Sequence, residues 1–127
     1  MSEIGANMKI AITSSGKTLE SPVDPRFGRA AFFIVVDLDT GAFEAHDNAQ
    51  NLNAAQGAGI QAAETVSRLG AEVVITGHCG PKAFRTLDAA GIQVVTGAQG
   101  TVRESVESYR KGELRPAEAP DVESHWA

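Results

Sequence analysis

The sequence predicts one α/β domain in which a mixed five-stranded sheet carries helices on its faces. Three observations lead to this prediction. Short runs rich in β-branched and aromatic residues alternate with polar turns before residue 48. From Gly57 onward, apolar residues recur every three positions or so, close to the period of a helix. These helical segments alternate with short apolar strands, which indicates crossover connections and parallel pairing.

The first half of the chain predicts three strands and no helix. Ser14 to Gly16 breaks the first strand, and the turn at Asp39 to Gly41 joins the next two into an antiparallel hairpin. His46 is predicted on the outer surface of this hairpin, and residues 48–56 form a polar connection. The three predicted strands are Met8 to Thr13, Ala31 to Asp37 and Ala42 to Asp47.

The second half alternates helices with strands, so the element order is β-β-β-α-β-α-β-α. The run Val73 to Thr76 lacks alternating polar residues, as is typical of a parallel strand buried on both faces. Thr101 and Glu104 have the spacing of a capping box at a helix start. The other predicted elements are a helix ending at Gly70 with Ile60, Ala63, Val66 and Leu69 on its buried face, a helix at Pro81 to Ala90, a strand at Ile92 to Thr96, and a helix from Thr101 to about Lys111.

Length and composition predict a single domain at residues 8–114, flanked by a flexible N-terminal extension at 1–7 and an acidic, loose tail at 115–127. The net charge of −5 argues against wholesale nucleic-acid binding. No apolar run is long enough to span a membrane, and Met1 to Asn7 lacks the features of a signal peptide. The single cysteine excludes an internal disulfide and a four-cysteine zinc site, which favours a reducing, cytoplasmic location.

Glycine-rich segments precede all three predicted helices, at residues 57–59, 77–80 and 97–100. In an open sheet, the ligand crevice lies beyond the carboxyl ends of the parallel strands. Helix N-termini offer unpaired N–H groups and positive charge, so three of them at one place predict an anion cradle. The alternative for any single segment is an ordinary helix start with small residues. No Walker A string or dinucleotide fingerprint is present, so neither ATP nor NAD is expected.

The turn from Gly77 to Gly80 carries His78 and the chain's only thiol, Cys79. A helix N-terminus and the nearby Lys82 favour a thiolate, for which soft metals are natural partners. The alternative is a small buried residue, since free cysteines are commonly buried. Catalytic thiol chemistry is less favoured because no orienting third group is evident.

The segment Ser21 to Arg29 is predicted to be an ordered loop. Its two prolines stiffen it, Phe27 can anchor it, and Arg26 and Arg29 project planar cations. Two interpretations remain open. The loop is either a surface loop held by one aromatic plug or a lid that places arginines over an anion.

Several of these segments together resemble the nitrogenase iron–molybdenum cofactor biosynthesis accessory family, the NifX-like domains. The resemblance covers roughly Met8 to Leu114. Its motifs are Met8 to Ile12, Ser21 to Ala30, Gly57 to Ala63, Val74 to Phe84 and Thr101 to Leu114.

The resemblance implies a ribonuclease H-like fold without nuclease activity, and small carriers of metal–sulfur clusters or their precursors. Within the family, the chain looks like a member from sulfate-reducing bacteria that carries a molybdenum–copper sulfide cluster without covalent attachment. Many members have another residue where Cys79 stands, so the thiol is not a family requirement. A lone cysteine also argues against a conventional iron–sulfur site, which needs about four protein ligands.

The resulting hypothesis is a non-enzymatic carrier or storage protein for a non-covalently held molybdenum–copper sulfide cluster. We expect a monomer or weak dimer that binds neither nucleic acid nor membrane. One alternative is a metal-free regulatory domain partnered with ATPases of the cell-division type, and another is an enzyme with Cys79 as nucleophile. The candidate cluster-binding residues are Ser14, Ser15, Arg26, Phe27, Arg29, Gly57, Gly59, Gly77, His78, Cys79, Gly80 and Lys82, with Cys79 and His78 as candidate metal ligands.

Overall fold

The computed structural model describes residues 8–48 and 57–117. The predicted N-terminal extension, most of the predicted connection at 48–56 and the end of the predicted tail lie outside the described residues. All eight predicted elements are present, with ends shifted by one or two residues. They are β1 (Lys9–Ser14), β2 (Phe32–Asp37), β3 (Phe43–Asp47), α1 (Ala58–Arg68), β4 (Val73–Ile75), α2 (Pro81–Ala89), β5 (Gln93–Val95) and α3 (Val102–Arg110).

The five strands form one mixed sheet in the order β3-β2-β1-β4-β5. β1 pairs in parallel with β4, and β4 pairs in parallel with β5. β2 is antiparallel to both β1 and β3, which confirms the predicted hairpin. The carboxyl ends of β1, β4 and β5 therefore meet along one edge of the sheet, at Ser14, Ile75 and Val95. We call this the carboxyl edge.

The sheet separates two hydrophobic cores, because alternate residues of each strand point to opposite faces. In β1, Ala11 faces the core beneath α1 and α2, whereas Ile10 and Ile12 face the core beneath α3. β4 is buried on both faces over its whole length, as predicted for a central parallel strand. α1 and α2 thus cover one face of the sheet, and α3 covers the other.

The buried face of α1 differs in part from the sequence prediction. Ala63 and Val66 are buried as expected, but Ile60 and Leu69 are only half-buried. A spacing of three residues advances about 300° around a helix, so a run of such steps rotates away from the core. The buried stripe instead consists of small residues that let α1 lie close to the sheet, together with one valine. It comprises Ala58, Gly59, Ala62, Ala63 and Val66.

The chain stays on the sheet beyond the predicted end of the domain. Pro116 forms an isolated antiparallel bridge with Val95. The Ala117 N–H donates to the Val94 carbonyl at 2.6 Å, so residues 116 and 117 cover the outer side of β5. No helix in the described ranges combines the length and the apolar character that a membrane span requires.

The N-terminus of α3 is closed by the predicted capping box. The Thr101 hydroxyl accepts the Glu104 N–H at 3.1 Å, and the Glu104 carboxylate accepts the Thr101 N–H at 2.9 Å. We expect Thr101→Ala to lower the free energy of unfolding by about 1 kcal/mol, since an N-cap bond is lost. Denaturant unfolding measures this. The control is Thr86→Ala in α2, whose exposed hydroxyl only bonds the Lys82 carbonyl within the helix. An equal loss in both variants would contradict the capping role.

Candidate functional site

The predicted ligand-binding turns meet at the carboxyl edge. Residues 14–16 follow β1, residues 77–80 follow β4, and residues 96–100 follow β5. β3 also ends at this edge, because Asp47 pairs with Phe32 and Phe32 pairs with Ser14. α1 ends at the opposite edge, where the Glu72 N–H donates to the Lys9 carbonyl, so α1 begins on the carboxyl side. The topology therefore confirms that these segments share one edge.

The loop of residues 21–29, which we call the crossing loop, runs across the carboxyl edge and bonds to each element it passes. It holds the end of β1, the turn before α3 and the turn between β4 and α2. This hydrogen bonding makes it an added, irregular layer on the sheet. The bonds are Ser15 N–H to Pro22 O at 3.0 Å, Val23 N–H to Gly100 O at 2.9 Å, Asp24 N–H to Thr13 O at 3.0 Å, His78 N–H to Pro25 O at 2.7 Å and Phe27 N–H to His78 O at 3.2 Å.

A buried pair of threonines fixes the middle of the crossing loop. The Thr13 hydroxyl lies 2.7 Å from the Asp24 carbonyl and 2.9 Å from the Thr76 hydroxyl. Because a hydroxyl has one proton, Thr13 donates to the carbonyl and accepts from Thr76. Both side chains are fully buried. The sequence analysis gave these threonines no role beyond ending the two strands.

Gly77 is required by the crossing loop. A Cβ atom at this position would lie 2.8 Å from Pro25 Cα and 2.9 Å from Pro25 O. The Pro25 backbone therefore occupies the space that the sequence analysis assigned to a ligand. The glycine instead permits the short His78 N–H bond to Pro25.

Phe27 and Asn48 anchor the far end of the crossing loop. The Phe27 ring is completely buried and packs on Phe33, with 5.6 Å between ring centroids and 44° between planes. This confirms its predicted anchoring role and removes it from direct ligand contact. Asn48 is also buried, and its Nδ2 donates to Gly28 O at 3.3 Å and to Ala30 O at 2.8 Å. The sequence analysis missed Asn48, although an asparagine directly after a strand is a common signal for a turn.

The N-terminus of α3 does not belong to an anion cradle, and the prediction of three converging helix starts is wrong. α3 lies on the opposite face of the sheet from α1 and α2. Its first N–H groups already have protein acceptors, two of which come from the segment before and within the crossing loop. These bonds are Val102 N–H to Ser21 O at 2.9 Å, Arg103 N–H to Leu19 O at 2.8 Å and Glu104 N–H to Thr101 Oγ1 at 3.1 Å.

The N-termini of α1 and α2 differ from that of α3 in their cap residues, which are glycines. Gly57 precedes α1 in the left-handed conformation at φ 81°, and Gly80 precedes α2 in an extended conformation. Neither helix start shows a capping side-chain hydrogen bond in the part of the chain that the structure describes, and neither first turn contains an acidic residue. Both helices pack on the same face of the sheet. Two of the three predicted helix starts therefore keep the properties of an anion site.

Exposed cations lie beside these two helix starts. Lys82 and Arg85 are exposed on α2, and a shallow groove between α1 and α2 is lined by these two residues with Ile60, Thr86 and Ala89. Among residues 8–48 and 57–117, no acidic side chain lines this groove. Arg26 is also exposed, and its backbone bridges to His78. Arg29 is half-buried, and it interacts with other groups of the protein.

The hydroxyl groups of the two predicted serines have backbone partners within the protein. Ser14 is buried, and its hydroxyl donates to Gly16 O at 2.7 Å and accepts the Gly16 N–H at 3.1 Å. The exposed Ser15 hydroxyl donates to Pro22 O at 3.3 Å. Ser14 has the same parity in β1 as Ile10 and Ile12, so its side chain lies on the α3 face of the sheet, opposite to α1 and α2.

The Cys79 thiol lies in the core beneath α1 and α2. Its relative exposure is 0%, and its Sγ lies 3.7 Å from the Gly80 carbonyl. This burial matches the small, buried cysteine that the sequence analysis gave as the alternative to a metal ligand. His78 is half-buried beside it. Within residues 8–48 and 57–117, no group of three His, Cys, Asp or Glu side chains is placed to hold a metal ion.

The family described as dinitrogenase iron-molybdenum cofactor matches the chain over residues 8–112. The apo form of the orange protein from Desulfovibrio gigas is 43% identical, with a TM-score of 0.90, and the match covers 94% of this chain and 100% of that protein. A Thermotoga protein with a NifB designation, of the DUF35 family, is 36% identical with a TM-score of 0.76, and the match covers 86% of this chain and 92% of that protein.

A curated relative of Methanocaldococcus jannaschii, itself uncharacterised, is 26% identical over 113 residues, which is 87% of this chain and 92% of the relative. These matches extend over nearly the whole described domain. They confirm the predicted family and its resemblance to a protein of sulfate-reducing bacteria. They also confirm the five-stranded α/β architecture that the sequence predicts.

Replacing Gly77 tests the crossing loop. Gly77→Ala is expected to lower the free energy of unfolding by about 2 kcal/mol, because the added Cβ overlaps the Pro25 backbone. Hydrogen exchange should accelerate at the amides of Asp24, Phe27 and His78, which bond across this contact. The control is Gly112→Ala, which strains the backbone at φ 76° but adds an atom with nothing within 4 Å, so it should leave exchange at those three amides unchanged. Unchanged exchange at those three amides in Gly77→Ala would contradict the constraint.

Proposed function

The chain belongs to the dinitrogenase iron-molybdenum cofactor family, and from this premise we propose that it binds and carries or stores an anionic metal–sulfide cluster. The cargo is held without a covalent bond to the chain. The observation that carries the proposal is the pair of helix N-termini, at one face of the carboxyl edge, that no side chain of residues 8–48 and 57–117 caps. Relatives in this family, including the orange protein, support a cluster-binding or carrier role.

The charge around this edge supports an anionic cargo. The protein as a whole has a net charge of −5, yet Arg26, Lys82 and Arg85 are exposed near the two open helix starts. Each helix N-terminus adds a partial positive charge of about half a unit. A compact anion with several exposed sulfur atoms can accept hydrogen bonds from the N–H groups and interact with the cations at once. Ile60 adds an apolar contact in the same groove.

A molybdenum–copper sulfide cluster is the specific cargo that we propose. In such a cluster the sulfide ions satisfy the metals, so the protein need not supply a full ligand set. This agrees with the absence, within residues 8–48 and 57–117, of three clustered His, Cys, Asp or Glu side chains. Backbone N–H groups and cations would then bind the sulfur surface of the cluster. Cys79 and His78 remain candidate direct ligands, and the burial of Cys79 does not favour that role.

We also propose that the protein is not an enzyme and that its fold is ribonuclease H-like. The sheet order β3-β2-β1-β4-β5, with β2 antiparallel to its neighbours, supports that fold label. The burial of Cys79 in the core supports the proposal that the protein is not an enzyme with a thiol nucleophile, because such a thiol must reach its substrate.

Reconstitution tests which cargo binds and whether the exposed cations contribute to its affinity. Purified protein is incubated with tetrathiomolybdate and copper and then desalted, and the retained metals are measured with the visible spectrum. We expect stoichiometric molybdenum and copper in the wild type. The double variant Lys82→Met with Arg85→Met should bind about tenfold more weakly, which corresponds to about 1.4 kcal/mol. Higher salt should weaken binding to the wild type in the same direction.

A matched double variant controls for the loss of charge as such. Arg68→Met with Lys111→Met removes two exposed cations far from the carboxyl edge, at the last turn of α1 and the end of α3. Its cargo affinity should stay within about twofold of the wild type, because these charges lie beyond the range of strong interaction. Failure of the wild type to retain molybdenum and copper would overturn the proposed cargo, and equal losses in both double variants would overturn the proposed site.

The thiol is tested separately. Cys79→Ala should lower the free energy of unfolding by about 1 kcal/mol, because a small buried group is removed from the core. It should leave the retained molybdenum and copper unchanged. Val74→Ala, in the same core, is the control for a general loss of stability. A folded Cys79→Ala protein that loses its cargo, while Val74→Ala keeps it, would show that the thiolate is a ligand.

A further inference from the structure

β3 forms an edge of the sheet that no other described strand covers. It stands at one end of the strand order, and four of its five residues are exposed. The opposite edge, at β5, is covered by residues 116 and 117. An uncovered edge strand presents backbone N–H and C=O groups that can pair with another strand.

The hydrogen bonds of the hairpin determine which groups of β3 point outward. The Asp37 N–H donates to Ala42 O at 2.8 Å, and the Asn48 N–H donates to Ala31 O at 2.9 Å. Because backbone direction alternates along an antiparallel strand, Glu44 and His46 also direct their N–H and C=O groups at β2. Ala45 lies between them, so its N–H and C=O point away from the sheet.

The side chains of β3 form a hydrogen-bonding pattern that is complementary to itself, because a carboxylate accepts and an imidazole N–H donates. Glu44 and His46 pair with Val35 and Phe33, so both lie on the α1 side of the sheet. Their side chains already interact, with 3.1 Å between Oε1 and Nε2. Phe43 lies on the other side of β3. Its side chain is 40% exposed, which makes it the one exposed large hydrophobic residue among those that the structure describes.

We propose that β3 pairs with β3 of a second copy in antiparallel orientation, about a two-fold axis at Ala45. The outward N–H and C=O of Ala45 then form two hydrogen bonds with Ala45 of the second copy. Glu44 of each copy lies opposite His46 of the other, in the closer, non-hydrogen-bonded type of pair. The result is a continuous sheet across two molecules, with an isologous interface.

The direction of the backbone groups and the pairing of carboxylate with imidazole select this register over its neighbours. A shift of one residue would place Ala45 opposite Glu44 or His46, whose N–H and C=O groups point at β2. It would also place side chains from opposite faces of the two sheets next to each other. An axis at Glu44 would place two carboxylates opposite each other, and an axis at His46 would place two imidazoles opposite each other. Charged residues usually protect edge strands from pairing. Here their alternating order favours one partner, a second copy of this chain.

The proposed dimer leaves the candidate cargo site accessible. Antiparallel pairing places the carboxyl edges of the two copies at opposite ends of the joined sheet. The inference is therefore independent of the proposed cargo. A pairing of two five-residue strands buries a small area, so the dimer is weak, with a dissociation constant on the order of 10–1000 μM.

Sedimentation velocity from about 10 μM to 1 mM protein tests the proposal. The wild type should shift from monomer to dimer over this range. Ala45→Pro should remain monomeric, because proline removes the outward N–H while keeping the bonds to β2. Circular dichroism verifies that the variant is folded. A wild type that stays monomeric at the highest concentration, or a folded Ala45→Pro that still dimerises, would overturn the proposal.

A charge exchange tests the register without touching the backbone. His46→Glu should weaken dimerisation at least tenfold, because carboxylates then lie opposite each other. Adding Glu44→His restores the complementary pair and should return the affinity to within about threefold of the wild type. In a mixed sample of labelled and unlabelled protein, an intermolecular contact between the α-protons of Glu44 and His46 is expected. A double variant as weak as His46→Glu, or a dimer lacking this contact, would refute the register.

Discussion

The close approach of Pro25 to Gly77 is the constraint on which the rest of the carboxyl edge depends. The His78 N–H reaches Pro25 O at 2.7 Å only because position 77 has no side chain. This contact holds the crossing loop against the β4–α2 turn. Phe27 then reaches the core, and Asp24 reaches the buried hydroxyl of Thr13. A local backbone contact thereby organises three elements that are distant in sequence.

The crossing loop also decides which helix starts remain open. On the α3 side, Ser21 and Leu19 supply carbonyls to the first N–H groups of the helix, and Thr101 caps another. On the α1 and α2 side, the loop contributes Phe27 to the core, and glycines are the cap residues of both helices, with no capping side chain among the residues that the structure describes. The edge is therefore asymmetric. One face is closed by hydrogen bonds within the protein, and the other retains partial positive charge next to exposed cations.

The sequence predicts features that depend on neighbouring residues and fails where distant residues decide. Strands, helices and the capping box at Thr101 follow from local spacing, and all were predicted. The bonds from the first N–H groups of α3 to the carbonyls of Ser21 and Leu19 were not predicted, because Leu19 lies more than eighty residues before Arg103 in the chain. The presence of Phe27 in the same core as Cys79 likewise depends on the path of the crossing loop. Asn48 has a weak local signal, and its two carbonyl partners become apparent only in the fold.

The burial of Cys79 bears on how a carrier of this kind would release its cargo. A cluster bound through a thiolate must exchange a metal–sulfur bond before it leaves, and that step depends on a competing thiol. A cluster held by N–H groups and exposed cations such as Lys82 and Arg85 interacts electrostatically, and such contacts weaken with ionic strength or near a competing charge. An acceptor with its own cationic or metal-ligating surface could then take the cargo directly. Under the proposed function, the buried thiol and the exposed cations therefore favour transfer of the cargo over permanent retention.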